Sequence, residues 1–270
     1  MKRNFEKTDA DMVSDDLEAV RESSPLVYNV TNYVVMNLTA NALLAIGARP
    51  VMSDALQEAV QMSSASDALV LNIGTLSERW KDTMMKAGWN AIASGKPVVL
   101  DPVGAGLTYY RSEFVKEMFE YFTPYVIKGN PDEITAILSS FPEYSPTPSD
   151  CEDSVTDAEL LALKTASTVI VTGSTDYITD GHRFGRIFNG SPVMARTTGM
   201  GCTAAALAGA FLTVTDDTFR ASVSTMAVMG IAGQRAAEHS TGNGSFQVNF
   251  LDELYNMNRK TIKESLIWEE

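Results

Sequence analysis

The sequence is short of the residues on which several common kinds of active site depend. Its 270 residues include two histidines, His182 and His239, and two cysteines, Cys151 and Cys202. Ser-His-Asp and Cys-His catalysis both need a histidine beside the nucleophile, and neither histidine has an obvious partner in the sequence. The cysteines form neither a disulfide framework nor a metal-ligand spacing, which favours a reducing, cytoplasmic setting. The sequence therefore disfavours a cysteine hydrolase.

Positive charge is also scarce. The chain carries 21 Lys and Arg against 34 Asp and Glu, a formal net charge of −13. Such a surface argues against binding to nucleic acid or to an anionic membrane. No apolar run is long enough to span a bilayer, and the N-terminus does not have the shape of a signal peptide. Any phosphate site must therefore be local, built from backbone N–H groups, one or two cations and a metal.

Two familiar phosphate motifs are missing as well. No Gly-x-Gly-x-x-Gly turn follows the first predicted strand, and no Gly-Lys-Ser/Thr turn occurs in the chain. These absences speak against a dinucleotide-binding Rossmann domain and against a Walker-type nucleotidase. A phosphate site in this chain must use another kind of turn.

What is present is a regular alternation of apolar strands and helical segments. The sequence predicts strands at 25–30, 50–53, 68–73, 97–100, 125–127 and 168–171, a hairpin at 177–180 and 183–188, and an exposed, mobile, proline-rich loop at 141–157. It predicts helices at 9–22, 37–46, 56–66, 77–94, 112–122, 157–165, 200–214, 218–239 and 247–259. Strands that are apolar on both faces predict an α/β fold, with a mostly parallel sheet covered by helices on both faces. We expect one domain over 1–270.

Polar residues follow several of the predicted strands. Asn32, Gly74, Asp101 and Lys128 each stand just beyond a strand's carboxyl end. In open parallel sheets this edge is where ligands bind. The sequence therefore predicts a site at that edge.

The most distinctive stretch is a glycine-broken turn, Gly199-Met200-Gly201-Cys202, which runs directly into an alanine-rich helix. The start of a helix carries backbone N–H groups without helical acceptors, and glycines let an anion approach them. Cys202 stands in the first turn, where the helix dipole favours a thiolate and hence a general base. The alternative is a plain loop–helix junction with a cysteine that acts as a small apolar residue.

Other candidate side chains each have a structural alternative. Asp101 can hold Mg²⁺ or simply hydrogen-bond its own turn. Lys128 suits a phosphate. Asn130 and Glu133 have the spacing of a capping box, although Glu133 is also placed to order the water shell of a metal. Thr172 ends a buried strand, either to bind a nucleotide or only to terminate that strand.

Taken together, these residues resemble the hydroxyethylthiazole kinases, members of the ribokinase-like superfamily, over about 24–254. The stretches that carry the resemblance are Thr31-Asn32 with Asn37-Leu38-Thr39-Ala40-Asn41, Ala48-Arg49-Pro50-Val51-Met52-Ser53, Leu71-Asn72-Ile73-Gly74-Thr75-Leu76, Asp101-Pro102-Val103-Gly104-Ala105-Gly106, Lys128-Gly129-Asn130 with Glu133, Thr198-Gly199-Met200-Gly201-Cys202 and Gly244-Ser245-Phe246. Most ribokinase relatives have an aspartate where this chain has Cys202.

The resemblance implies a ribokinase-like three-layer fold and transfer of the ATP γ-phosphate to the alcohol of 4-methyl-5-(2-hydroxyethyl)thiazole, assisted by Mg²⁺. It implies that Asn32, Met52 and Gly199 line the thiazole pocket and that Lys128 and Thr172 bind ATP. It further implies that Asp101 and Glu133 order Mg²⁺ and phosphate. Cys202 would face the alcohol, with the 199–202 turn as the anion hole.

The resemblance also implies a homotrimer with active sites at subunit interfaces. Two residues depart from the family pattern: Lys128 stands where many members have arginine, and Met200 is bulkier than usual. Two alternatives stay open. One is a kinase for another small alcohol such as a hydroxymethylpyrimidine, whose families usually place aspartate at the position of Cys202. The other is a regulatory protein that binds thiazole and nucleotide without turnover.

Overall fold

The architecture follows from the alternation of apolar strands and helices. The computed structural model describes residues 7–144 and 151–270. The strands in this part of the chain are β1 Leu26–Val30, β2 Arg49–Met52, β3 Ala68–Asn72, β4 Val98–Asp101, β5 Val126–Gly129, β6 Thr168–Val171, β7 Asp176–Thr179, β8 Phe184–Ile187 and β9 Trp268–Glu269. The helices are α1 Lys7–Ser23, α2 Met36–Ala45, α3 Ala59–Ala65, α4 Glu78–Ala93, α5 Tyr109–Tyr121, α6 Pro131–Leu138, α7 Cys151–Thr165, α8 Met200–Phe211, α9 Thr218–Glu238, α10 Asn243–Asn256 and α11 Arg259–Ser265.

The strands form one nine-stranded sheet in the order β2-β1-β3-β4-β5-β6-β7-β8-β9. Neighbouring strands are parallel from β2 to β6, and the pairs from β6 to β9 are antiparallel. This confirms the predicted mostly parallel sheet and the predicted hairpin. The ends of β3 and β4 are in register, so that Asn72 lies beside Asp101.

Helices cover both faces of the sheet, as expected. Alternate residues of a strand point to opposite faces. On one face Val27 belongs to a core that includes Leu207 of α8 and Val228 of α9, whereas on the other Tyr28 belongs to a core with Trp80 of α4. Helix α8 lies directly on the strands, because a Cβ added at Gly209 would stand 2.8 Å from Val70 Cγ2. Its first turn therefore lies at the carboxyl edge of the sheet.

Three differences from the predicted elements stand out. Helix α7 begins at Cys151, inside the segment predicted as a loop, and Ala158, Leu161 and Ala162 of this helix are buried in the core. Residues 145–150 of that predicted loop lie outside the described residues. The predicted last helix is two helices, α10 and α11, because Asn258 caps the second by accepting hydrogen bonds from the N–H groups of Lys260 and Thr261. The short strand β9 had no signal in the sequence pattern.

No helix in residues 7–144 and 151–270 combines the length and the apolar character that crossing a bilayer requires.

Candidate active site

A buried ion pair lies at the centre of the carboxyl edge. Lys128 Nζ stands 3.0 Å from Asp101 Oδ1, and both side chains are almost fully buried. The residues end the neighbouring strands β4 and β5, which explains why two side chains 27 positions apart in the chain meet. Burial opposes the charge of Lys128, but Asp101, Cys202 and Glu133 together outweigh it, so the pKa of Lys128 lies above its ordinary value. The lysine is therefore a cation at neutral pH.

The ammonium of Lys128 faces the glycine turn before α8. Gly199 is the N-cap residue and has φ +92°, which favours glycine, and a Cβ there would also stand 3.0 Å from Val35 Cγ1. A Cβ at Gly201 would stand 3.0 Å from Lys128 Nζ. The first N–H groups of α8 have no helical acceptors. The two glycines thus keep side chains away from these N–H groups beside the Lys128 ammonium and form a positively polarised cradle of the kind that binds anions.

Cys202 lies in the first turn of α8 and is half-buried. Its Sγ is 3.5 Å from Asn32 Nδ2, so the structure brings together the candidate base and a predicted thiazole-pocket residue. The expectation of a lowered pKa is wrong. Burial raises the pKa of Cys202 to about 11, and the Asp101 carboxylate adds to this effect, while Lys128, Asn72 and Asn32 oppose it. At neutral pH the group is a thiol.

Glu133 fills the capping role considered for it, and its role toward a metal stays a prediction. The capping box is present: Asn130 Oδ1 accepts from Glu133 N at 2.9 Å, and Glu133 Oε2 accepts from Asn130 N at 2.8 Å. The other oxygen, Oε1, accepts from Gly104 N at 2.9 Å, in the glycine turn that follows Asp101. Glu133 therefore ties the start of α6 to the turn after β4. Its carboxylate reaches the same edge as Asp101.

These carboxylates fit Mg²⁺ as a partly hydrated ion. Among the described residues, no cluster of three or more His, Cys, Asp or Glu could hold a metal by itself. Mg²⁺ usually binds through one or two carboxylates and takes water and phosphate oxygens for the rest of its shell. Asp101 and Glu133 are the carboxylates at this edge, and because each of their oxygens already accepts a hydrogen bond, they would act on the ion through its water shell. The arrangement therefore suits a magnesium ion that arrives with a phosphate ligand.

Two predicted ligand residues lie at the margins. The Thr172 hydroxyl donates to the Gly129 carbonyl at 3.3 Å, which places Thr172 beside the strand end that carries Lys128. Gly173 N, next in the chain, donates to Asp176 Oδ1 at 3.0 Å. Met52 ends the edge strand β2 and is half-buried. Both Thr172 and Met52 lie at the predicted edge, on opposite sides of the ion pair.

Two further residues hold this edge together, and sequence reasoning missed the first of them, Asn72. Asn72 ends β3 and hydrogen-bonds both Asn32 and Asp101. A polar residue at the end of the apolar run 68–71 was the available signal. Arg111 of α5 donates to the backbone carbonyls of Ile73, Val103 and Gly74 at 2.6, 2.5 and 2.9 Å, respectively. Its guanidinium joins the turns after β3 and β4.

The fold places the chain in a known structural class. It is similar to a ribokinase-like superfamily protein from Enterococcus faecalis V583 (TM-score 0.64, 12% identity, covering 96% of this chain and 100% of the other). It is also similar to the pyridoxal kinase from Staphylococcus aureus (TM-score 0.61, 17% identity, covering 77% and 87%). At these identities the likeness concerns the fold alone. The fold is ribokinase-like.

Sequence comparison narrows the class to one family. The model of the hydroxyethylthiazole kinase family matches residues 17–260. A hydroxyethylthiazole kinase from Leptospira biflexa serovar Patoc is 48% identical over 93% of this chain and 95% of its own length. One from Syntrophus aciditrophicus is 45% identical over 93% and 94%. The structure of hydroxyethylthiazole kinase from Pyrococcus horikoshii OT3 matches with a TM-score of 0.90 and 41% identity, covering 96% and 98%. The chain belongs to the hydroxyethylthiazole kinase family.

Proposed function

We propose that this protein transfers the γ-phosphoryl group of ATP to the primary alcohol of 4-methyl-5-(2-hydroxyethyl)thiazole in thiamin salvage. The observation that carries the proposal is the buried Lys128 ammonium next to Gly201, in the cradle at the start of α8. Phosphoryl transfer depends mainly on positioning and on neutralising the charge of the phosphoryl group. A fixed cation beside free backbone N–H groups meets both needs.

Each part of the edge has a role in this reaction. Lys128 and the N–H groups of the 199–202 turn bind the transferred phosphoryl oxygens, and Thr172 binds the nucleotide at the end of β6. Asp101 and Glu133 hold Mg²⁺ through its water and phosphate ligands. When bound, the ion neutralises the charge of the polyphosphate. Asn32, Met52 and Gly199 line the pocket for the thiazole ring.

Cys202 takes the proton of the alcohol. A thiol whose pKa is about 11 is almost entirely protonated at pH 7, so the base is its small thiolate fraction. Phosphoryl transfer needs little help from a base, because the alcohol proton leaves late in a loose transition state. Turnover is therefore possible with a small thiolate fraction, although it is slower than with a fully ionised base.

The protein acts in the cytoplasm as a homotrimer, and its active site lies at an interface between subunits. Tyr33 and Val34 follow Asn32 directly and are 62% and 68% exposed. Large apolar side chains so exposed beside a binding residue favour a protein contact there. Light scattering on the purified protein tests this assembly. A mass of three chains supports it, and a monomer that turns over at the full rate contradicts it.

The reaction is tested by measuring ADP release with ATP, Mg²⁺ and the thiazole alcohol, with a hydroxymethylpyrimidine as the parallel substrate. We expect release that requires both the thiazole alcohol and the metal. Release with the pyrimidine alone would show a different acceptor. Binding of ATP and thiazole with no release from either acceptor would show a regulatory protein rather than a kinase.

A further inference from the structure

Asn72 contacts residues on both sides of the candidate site. It is the last residue of β3, and its side chain is buried. Its register partner on β4 is Asp101. A side chain so placed touches two residues to which the proposed function assigns ligand contacts, Asn32 and Asp101.

The hydrogen bonds of the Asn72 amide fix its orientation. Oδ1 accepts from Asn32 Nδ2 at 2.8 Å and from Gly74 N at 2.9 Å. Nδ2 donates to Asp101 Oδ2 through a short hydrogen bond. A flipped amide would place its NH₂ group against two donors and its oxygen against a carboxylate. The amide therefore has one stable orientation.

Asn72 is also the middle member of a continuous chain of contacts. On one side, Asn32 Nδ2 extends to Cys202 Sγ at 3.5 Å. On the other, Asp101 Oδ1 accepts from Lys128 Nζ at 3.0 Å. The chain therefore joins the candidate base to the cation of the cradle. It crosses β3, β4 and β5 and the turn after β1.

We infer that Asn72 is a positioning residue for phosphoryl transfer, which holds the Asp101 carboxylate toward Lys128 and presents the Asn32 amide to Cys202. This inference rests on the proposed function. Without the Asn72 donor, one oxygen of a buried carboxylate loses its partner, and Asp101 turns further toward Lys128. Lys128 is then held away from the phosphoryl group, and Asn32 is no longer fixed beside Cys202. Networks of this kind depend on every member being satisfied.

Two variants separate the hydrogen bond from the space that the side chain fills. Asn72→Asp keeps the shape and the acceptor but removes the donor and places a carboxylate against Asp101. Asn72→Ala removes shape and hydrogen bonds together. We expect kcat to fall by about 100-fold in both variants. KM for the thiazole alcohol should change by less than about threefold, because the proposed function gives Asn72 no contact with the substrate. A packing role predicts instead that Asn72→Asp stays near the wild-type rate.

Asn189 supplies the matched control. It is a buried amide outside the site that donates to Gln234 Oε1 at 2.8 Å and to the Ser265 carbonyl at 2.7 Å. We expect Asn189→Ala to lower the melting temperature and to leave kcat unchanged. All rates are measured at a temperature where circular dichroism shows every variant folded. A kcat for Asn72→Asp within about twofold of wild type would overturn the inference.

A readout without turnover separates this inference from the proposed function. Iodoacetamide labelling of Cys202 at pH 8, followed on its peptide by mass spectrometry, needs neither ATP nor acceptor. We expect Asn72→Ala to change the labelling rate by at least about threefold and Asn189→Ala to leave it unchanged, since reactivity follows the thiolate fraction and access. Altered labelling with an inactive wild type would overturn the kinase proposal alone. Unchanged labelling would overturn the inference.

Discussion

Two ion pairs of this molecule each contain a buried carboxylate, but they differ in the exposure and the hydrogen bonds of the cation. Asp16 of α1 accepts from Arg220 of α9 at both oxygens, and Ser224 Oγ donates to it at 2.6 Å. The Arg220 side chain is 38% exposed, whereas that of Lys128 is 5% exposed. Among the described residues, Asp101 is the hydrogen-bond acceptor found for Lys128. The Asp16 pair is complete in itself.

The difference in exposure and in hydrogen-bond partners between the two cations bears on the role proposed for Lys128. An ammonium has three N–H donors, and burying a charge costs free energy unless its partners are supplied. Arg220 donates hydrogen bonds to the Asp16 carboxylate, and its side chain remains partly exposed to water. Lys128 has donors in excess of its single acceptor and faces the glycine turn, where a phosphate oxygen would complete its shell. The Asp16 pair joins two helices, and in the proposed function the Lys128 pair prepares a site.

Removing the site cation gives the largest expected effect. We expect Lys128→Ala to lower kcat/KM by at least about 1,000-fold, because charge-assisted contacts to the phosphoryl group are lost and Asp101 is left without its counter-ion. Steady-state kinetics with the thiazole alcohol measure this. Lys128→Arg, which restores a cation, should recover at least a tenth of the wild-type rate. A loss below about tenfold in Lys128→Ala would remove Lys128 from the mechanism.

The pH dependence of Cys202 gives the next largest effect. Because its pKa is raised to about 11, the part of the wild-type rate that depends on the thiolate should rise by about tenfold per pH unit below that value until another step limits it. Cys202→Ala should be about 100-fold slower at pH 9 and nearly independent of pH. Cys202→Asp supplies a base that is ionised at neutral pH, and it should exceed the wild-type rate at pH 7. A wild-type rate that is flat from pH 7 to 9 would contradict a thiolate base.

Breaking the ion pair between Asp16 and Arg220 should lower the stability of the protein and leave its turnover unchanged. We expect Arg220→Ala to lower the free energy of unfolding by about 2 kcal/mol, because the buried Asp16 carboxylate loses its counter-ion while Ser224 still donates to it. Denaturant titration measures this change. The value of kcat should stay at the wild-type level where the variant is folded. A fall in kcat without a fall in stability would erase the contrast between the two pairs.

The smallest effect concerns Asp176, beside the Thr172 turn. Burial raises its pKa to about 7 from the ordinary 3.8, although Gly173 N and Lys128 oppose the rise. The folded state therefore holds this proton more tightly than the unfolded state, and wild-type stability falls as pH rises from 3.8 to 7. Asp176→Asn lacks this loss, so it should gain stability relative to wild type between pH 4 and pH 8, by less than about 4 kcal/mol, the value of the full shift, because Asp176 is only half-buried. Melting temperatures across this range test the sign, and a constant difference would contradict it.

Much of the fold could be predicted from local pattern. Buried strands such as 68–72 are continuous apolar runs, and Gly47 ends a helix with φ +91°, as a C′ glycine should. Strand β9 could not be predicted, because two residues carry no periodicity and form a strand only by pairing with β8. The split of the last helix depends on one capping side chain, Asn258.

The meeting of the candidate residues at one edge of the sheet could be predicted from the sequence, but the protonation state of Cys202 could not. Asp101 and Lys128 stand at strand ends, so the topology brings them together. The thiol state of Cys202 depends on burial and on the distance to Asp101, which the local helix-start pattern does not contain. The link through Asn72 depends on register between β3 and β4, and register is a property of the assembled sheet.

The central claim is that Lys128 is held for the nucleotide, whereas Arg220 is not. Calorimetric titration of ATP with Mg²⁺ into wild type, Lys128→Ala and Arg220→Ala tests it directly. We predict that Lys128→Ala weakens binding by at least about 30-fold, or 2 kcal/mol, and that Arg220→Ala binds as tightly as wild type. Equal affinity in all three proteins would contradict the account.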